Sequence, residues 1–425
     1  MTTAISRRNF IKSASALGVL GVSSRLFPAW MPRMAFAQSQ AQVRGDVLVV
    51  IFLRGGIDGL SAVVPYGDGR HYYDSRPTLA VAAPGSGAGS ALDLDGYFGF
   101  HPALSPLIDV YQSGGLAVVQ ATGLTNSSRS HFDAMQYMEY GTPESKTTGT
   151  GWVGRHLETT ASASDSPFRA VGMGAMVQDS LRGQVAPLSL RSIADFHLRG
   201  RSDELQRAQE ALARLYRTDA PQDDLSTQAR MVFTTVEMLQ RINAMGYTPA
   251  NGAVYPDDDE GFGLGLRQVA QLIKANVGLE VACIDLGGWD THENQGTHGG
   301  FFEVHLDVLA RGLGAFYADL QDAMAGVTVV TMSEFGRRVA ENASAGTDHG
   351  HGNFMLVMGG GTDGGRVIAD WPTLAPEALV EGDLAITTDY RDVLAEVLTL
   401  RMLNPAIESV FPGLSPTPPQ IVRAR

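Results

Sequence analysis

The sequence predicts an α/β fold: a doubly wound, mostly parallel sheet with helices on both faces. Three observations carry this expectation. Short apolar runs rich in β-branched residues recur along the chain. Between them lie longer stretches whose apolar residues repeat at helical spacing, the alternation that builds parallel sheets from strand–helix–strand units. The unusual polar and Gly-rich clusters sit at the ends of the apolar runs, where such sheets gather their binding and catalytic groups.

Taken in order, the first element is not part of the fold. Ser6-Arg7-Arg8-Asn9-Phe10-Ile11-Lys12, a modestly apolar run and Ala35-Phe36-Ala37 form the twin-arginine export pattern. Residues 1–37 are therefore expected to be a signal peptide read by the twin-arginine translocase, giving a periplasmic or secreted protein. Ser, Gly and Arg25 interrupt the apolar run well short of the roughly 20 residues that a spanning helix needs, so no stable membrane span is expected.

Residues 38–425 read as a single α/β domain. Val47 to Leu53 (VLVVIFL) is continuously apolar, as a central strand covered on both faces should be. It runs into Arg54-Gly55-Gly56-Ile57-Asp58-Gly59, whose glycines permit close backbone approach. Leu116 to Gln120, Leu279 to Ile284, Val327 to Met332 and Phe354 to Met358 repeat the strand pattern. Helices are expected over Phe132 to Tyr140, Ser202 to Arg217, Leu225 to Ala244, Leu264 to Ala275 and Phe301 to Met324. Residues 201–261 read as a helical insertion followed by a surface connector, whose acidic run Asp257 to Glu260 is expected to be solvated. The Pro-rich tail after Pro412 is expected to lie over the surface.

Composition narrows the chemistry. Cys283 is the only cysteine, which excludes an intramolecular disulfide and any thiolate cage, so metal ligands must be oxygen or nitrogen. Residues 1–37 carry five Lys and Arg and no Asp or Glu, so their removal takes the formal charge from −13 to −18. So acidic a chain argues against nucleic acid as a partner.

Five of the ten histidines fall between His292 and His351, beside Asp290, Glu334 and Asp348. Asp290 and His292 are two residues apart after a strand, and in extended backbone such positions face the same way and can reach one ion. His349 and His351 repeat the spacing next to Asp348. The two pairs would make a mixed N/O set suited to a divalent cation such as zinc, manganese or calcium. Taken singly, each pair also reads as a satisfied loop hydrogen bond. Glu334 reads as a ligand, a general base, or one half of a helix-start ion pair with Arg337; Arg337 alternatively holds an anion through its fork. Ser128 and Ser130, ahead of His131 and an expected helix, read as N-caps or as a hydroxyl nucleophile favoured by the positive helix end.

Arg54-Gly55-Gly56 with Asp58-Gly59-Leu60, Arg129-Ser130-His131-Phe132, Gly288-Trp289-Asp290-Thr291-His292, Ser333-Glu334-Phe335-Gly336-Arg337 and Gly346-Thr347-Asp348-His349-Gly350 together resemble the bacterial family catalogued as domain of unknown function 1501. That family is placed in the alkaline phosphatase and sulfatase superfamily. The resemblance implies an alkaline-phosphatase-like fold and metal-assisted hydrolysis of phosphate, sulfate or related esters, small or polymeric. It places Ser130 or Ser128 at the nucleophile position, Asp290 and His292 in the ligand segment, and His349 or His351 at the late histidine. Two departures stand out: Arg54-Gly55-Gly56 replaces a usual metal-binding Asp, leaving Asp58 to substitute, and Ser333-Glu334-Phe335 stands where Asp-His is common. A single-ion site is therefore expected rather than a two-metal one. The nucleophile is a serine or a metal-bound water; Glu334 or a free histidine such as His131 moves protons, and Arg54, Arg129 or Arg337 holds the anion. The alternatives are a non-catalytic binding or assembly protein on the same scaffold, and metal-free hydrolysis by Ser130 with His131 or His292.

Overall fold

The seven residues Val47–Leu53 form β1 in the middle of the sheet, and alternate side chains go to opposite faces. Val49, Ile51 and Leu53 enter one hydrophobic core, while Leu48, Val50 and Phe52 enter a second. A strand with period-two side chains has two apolar faces only if both are covered, and here both are. This is a computed structural model that describes residues 46–160, 166–174, 176–193, 234–236, 238–242 and 246–425. The expected signal peptide and the expected helix Ser202 to Arg217 lie outside the described residues. Of the expected helix Leu225 to Ala244, residues 234–236 and 238–242 are helical.

The other strands of the main sheet are β2 (Leu116–Gly123), β3 (Ala170–Met173), β4 (Leu188–Leu190), β5 (Val281–Leu286), β6 (Val327–Met332), β7 (Asn353–Gly359), β8 (Val367–Ile368) and β9 (Thr388–Asp389). Their spatial order is β8-β2-β7-β6-β1-β5-β3-β4, with β9 also on β2. All pair in parallel except β7, which runs antiparallel to β2 and β6. The sheet is mostly parallel, as expected. The reversal of β7 has a structural effect: its first residue lies at the edge where the parallel strands end, so the segment leading into it meets the loops leaving them.

Helices cover both faces. α3 (Phe262–Lys274) and α4 (Phe301–Leu320) bury Phe262, Leu266, Val269, Phe302, Leu306, Leu309, Leu313 and Phe316 against the first core. α1 (His131–Tyr140), α2 (Trp152–Thr159) and α5 (Tyr390–Leu400) bury Met138, Trp152, Val153, Leu157, Val393, Leu394 and Val397 in the second. Truncating any one of these leucines to alanine costs about 2–5 kcal/mol.

Four details differ from expectation. The strand expected over Leu279 to Ile284 is displaced to Val281–Leu286. The helix expected to reach Met324 stops at Leu320, where Gln321 turns to φ 34° and a 3-10 segment follows. The acidic run is partly used: Asp258 accepts the N–H groups of Phe262 and Gly263 at the start of α3, and Glu260 accepts that of Gly287. The tail lies over the surface only as far as Gln420; Ile421 is fully buried, and Glu396 accepts the N–H groups of Gln420, Ile421 and Val422. No helix among the described residues is long and apolar enough to cross a membrane.

Candidate metal centre

Five segments converge at one sheet edge: the loops leaving β1, β2, β5 and β6, and the one entering β7. Two glycines let their backbones touch. A Cβ on Gly55, which has φ +118°, would lie 2.6 Å from the Asp290 nitrogen, and one on Gly346 would lie 2.2 Å from the His292 carbonyl oxygen. Arg337 ties the loops together from within. Its guanidinium is fully buried and donates to the carbonyls of Gly55, Gly56, Trp289 and Thr347, and to Asp290 Oδ1 at 2.7 Å.

Above this clamp, four side chains present donor atoms to one another. Atoms of His131, Asp290 and His349 lie within 4.8 Å of each other. His292 Nε2 joins them at 2.9 Å from His349 Nε2 and 3.0 Å from Asp290 Oδ1. Donors on a shell 2.0–2.1 Å from a tetrahedral ion sit about 3.3 Å apart, so His131, Asp290 and His349 are spaced to share one cation, with His292 alongside Asp290 and His349.

The far side of each ring is committed. His131 Nδ1 faces Glu334 Oε1 at 2.7 Å, His292 Nδ1 faces Asp348 Oδ1 at 3.0 Å, and His349 Nδ1 faces the Arg129 carbonyl at 2.8 Å. A carbonyl or an ionised carboxylate can only accept, so each outer Nδ1 donates; the Nε2 atoms of His292 and His349 also face an acceptor, Asp290 Oδ1, at 3.0 and 3.1 Å, a crowding of lone pairs in the neutral rings that a bound cation would relieve. The three Nε2 atoms thus crowd one carboxylate, whose Oδ1 is already shared with Arg337. His131 Nε2 is buried with no hydrogen-bond partner; Asp290 Oδ2 is 3.3 Å away but not aligned for a bond. An orphaned nitrogen, outward-tied rings and an inward carboxylate are what a cation site requires. With imidazoles from His131 and His349, His292 adjacent and one carboxylate, the set suits zinc or a similar transition ion; calcium, which takes six to eight oxygens, fits it poorly.

A family model described as "Protein of unknown function (DUF1501)" matches residues 46–408. The chain belongs to this family. No match is found among curated proteins. Among solved structures, the DUF1501 chain is similar to the C-terminal periplasmic domain of EcEptC from Escherichia coli, at 10% identity over 91% of this chain and 92% of that one, with a TM-score of 0.37. It is also similar to the PsFucS1 sulfatase from Pseudoalteromonas sp., at 12% identity over 99% and 78%, with a TM-score of 0.38. A third is the lipoteichoic acid synthase LtaP from Listeria monocytogenes, at 10% identity over 81% and 75%, with a TM-score of 0.35. At these scores the likenesses decide nothing about chemistry, which is left to the side chains.

The DUF1501 chain places several expected residues away from the donors. Asp58, expected to substitute as a ligand, is fully buried, and both its oxygens are taken by Arg76, at 2.6 and 2.9 Å, with Ser61 and Gln295 completing the set. His351 faces the Leu124 carbonyl at 3.3 Å instead of the cluster, and Asp348 stands behind His292 instead of beside it. Glu334, fully buried, also stands behind a ligand; it accepts from Gly55 N–H and His131. None of the three arginines expected to hold an anion is idle. Arg54 pairs with Glu139 and Asp285, Arg129 with Asp383 at 2.5 Å, and Arg337 is the clamp. His131, read from the sequence as a proton carrier, is instead a donor in the cluster. Ser130 is exposed at the N-cap of α1 and makes no side-chain cap; Ser128 Oγ accepts the Ser130 N–H at 3.3 Å.

Electrostatics follow from these contacts. Burial alone would raise the Asp290 carboxyl, but the hydrogen bond from Arg337, the contact with His349 and the Arg337 charge hold it at about 2. The bond to Glu334 raises His131, outweighing its burial, whereas burial lowers His349 despite its bond to Asp290. The hydrogen bond from His292 lowers Asp348. At neutral pH Asp290 is a charged acceptor, and burial keeps His349 from carrying the compensating proton.

Proposed function

We propose that this chain is an exported, cation-dependent hydrolase of a phosphate, sulfate or related ester, acting on an anionic small molecule or polymer after passage through the twin-arginine translocase. The observation that carries the reading is the convergence of three imidazole Nε2 atoms on the Asp290 carboxylate, each ring tied outward through Nδ1. When bound, a divalent cation such as zinc polarises the ester oxygen and offsets developing negative charge. Arg337 keeps Asp290 ionised, and Glu334, Asp348 and the Arg129 carbonyl fix the tautomers that aim the three rings. Ser130, exposed and free of a capping bond beside His131, offers its Oγ as the nucleophile at the positive end of α1, with water as the alternative.

A second reading, a non-catalytic binding protein on the same scaffold, is favoured by one observation: Arg54, Arg129 and Arg337 are all engaged with protein groups. One set of measurements separates the two. The mature protein is assayed for bound metal and for turnover of aryl phosphate and aryl sulfate esters. Hydrolysis predicts about one equivalent of cation per chain, and a loss of turnover of at least about 100-fold in Ser130→Ala and His349→Ala. Cation retained without turnover of either ester class supports the binding protein. Failure to retain zinc, manganese or calcium after reconstitution overturns the cation-dependent hydrolase.

A further inference from the structure

The geometry points to Gln295 as a positioning residue that sets the spacing between the two loops bearing Asp290, His292 and His349, and so the affinity of the cation site; this rests on the function proposed above. Gln295 is fully buried and touches none of the donors. Its Oε1 accepts the hydroxyl of Thr291 at 3.0 Å and that of Thr347 at 2.8 Å. Thr291 lies between Asp290 and His292, and Thr347 is two residues before His349. One amide oxygen thus fastens both ligand-bearing loops from beneath.

The orientation of that amide is not free. Gln295 Nε2 lies 2.7 Å from Asp58 Oδ2, and an ionised carboxylate accepts only, so the NH2 end must face Asp58 and the oxygen must face the threonines. Asp58 in turn is held by Arg76, which also donates to the carbonyls of Arg338 and Val339 beyond β6. Backbone bonds reinforce the latch: Gln295 N–H donates to Ala345 O at 2.8 Å and Thr347 N–H to Thr291 O at 3.1 Å. The aspartate that the sequence offers as a ligand is therefore the anchor of a chain running Arg76, Asp58, Gln295, then Thr291 and Thr347. Supports behind metal ligands affect affinity by about 10- to 100-fold, and this chain supports two ligand loops at once.

Thr291→Val and Thr347→Val each remove one hydroxyl and keep the volume. Zinc affinity is read by competition with a chromophoric chelator, coordination by the visible spectrum of the cobalt-loaded protein, and folding by the melting temperature of the metal-free protein. Each valine variant is expected to bind zinc about 10- to 100-fold more weakly with a shifted cobalt spectrum, while Thr291→Ser and Thr347→Ser restore both. Thr291→Ala and Thr347→Ala serve as the second pair if a valine variant does not fold. Wild-type affinity in the valine or alanine variants overturns the role of Gln295 while leaving the cation site standing, as does an affinity loss that the serine variants fail to reverse. A wild-type protein that binds neither zinc nor cobalt overturns the site itself, and the latch with it.

Discussion

The Asp58–Arg76 cluster and the donor cluster around Asp290 are joined through Gln295, and their wiring differs. Around Asp58 each charge has its counterpart: both carboxylate oxygens face Arg76, and Ser61 and Gln295 fill the remaining acceptor positions. Around Asp290 the side chains are part-exposed, the inner nitrogens of His292 and His349 crowd one carboxylate oxygen, and His131 Nε2 has no hydrogen-bond partner. A saturated buried pair spends its polarity on holding backbone in place. Convergent groups that share a single arginine, Arg337, and leave a nitrogen unpaired make a candidate binding place.

The largest expected effect breaks the saturated side. Arg76→Ala leaves Asp58 buried without its counter-charge and is expected to cost about 3–5 kcal/mol in chemical denaturation, whereas His292→Ala in the metal-free protein costs less than about 1 kcal/mol. Acid sharpens the contrast between histidines. His156, 2% exposed, accepts from Asn404 Nδ2 at its Nδ1, and burial pulls it down to about 4. Between about pH 6.5 and 4 the unfolded chain binds more protons at this site, so its contribution is complete above about 6.5 and is lost as the pH falls to about 4. The loss is roughly 3 kcal/mol, and His156→Gln should flatten that part of the stability profile. The smallest effect concerns two helix starts. Asp389 caps α5 by accepting from Arg391 N–H, and Asp389→Ala should cost about 1 kcal/mol. Ser130 makes no such bond, so Ser130→Ala should change stability by less than about 0.5 kcal/mol. A Ser130→Ala loss as large as that of Asp389→Ala would make this serine a cap.

Much of the sheet was legible because β1, β6 and β7 are continuous apolar runs that only a doubly covered strand tolerates. The direction of β7 was not, since period-two burial reads the same both ways. The i,i+2 spacing brings His292 Nε2 to 3.0 Å from Asp290 Oδ1, although a Thr291 N–H bond to the Trp289 carbonyl turns the backbone there. It failed for His351, where the Arg337–His349 bridge and the Gly336 N–H bond to the His351 carbonyl fix a tight turn about Gly350. Asp58 was misread for a different reason: its partner Arg76 lies 18 residues on in an unremarkable segment, and nothing in the sequence shows that the two meet. His131 passed as a neighbour of the serines because its fellow donors lie far along the chain. Gln295 left no signal of its own; its importance lies in two hydroxyls that only the folded loops bring together.

The reversed strand has one more effect. Because His349 stands in the segment entering β7, a nascent chain lacks the last of these four side chains until just over four-fifths of the sequence has been made, long after His131. Under the proposed function, ion uptake would wait for that segment. Loading would then report that the loops leaving β2 and β5 and the one entering β7 have come together.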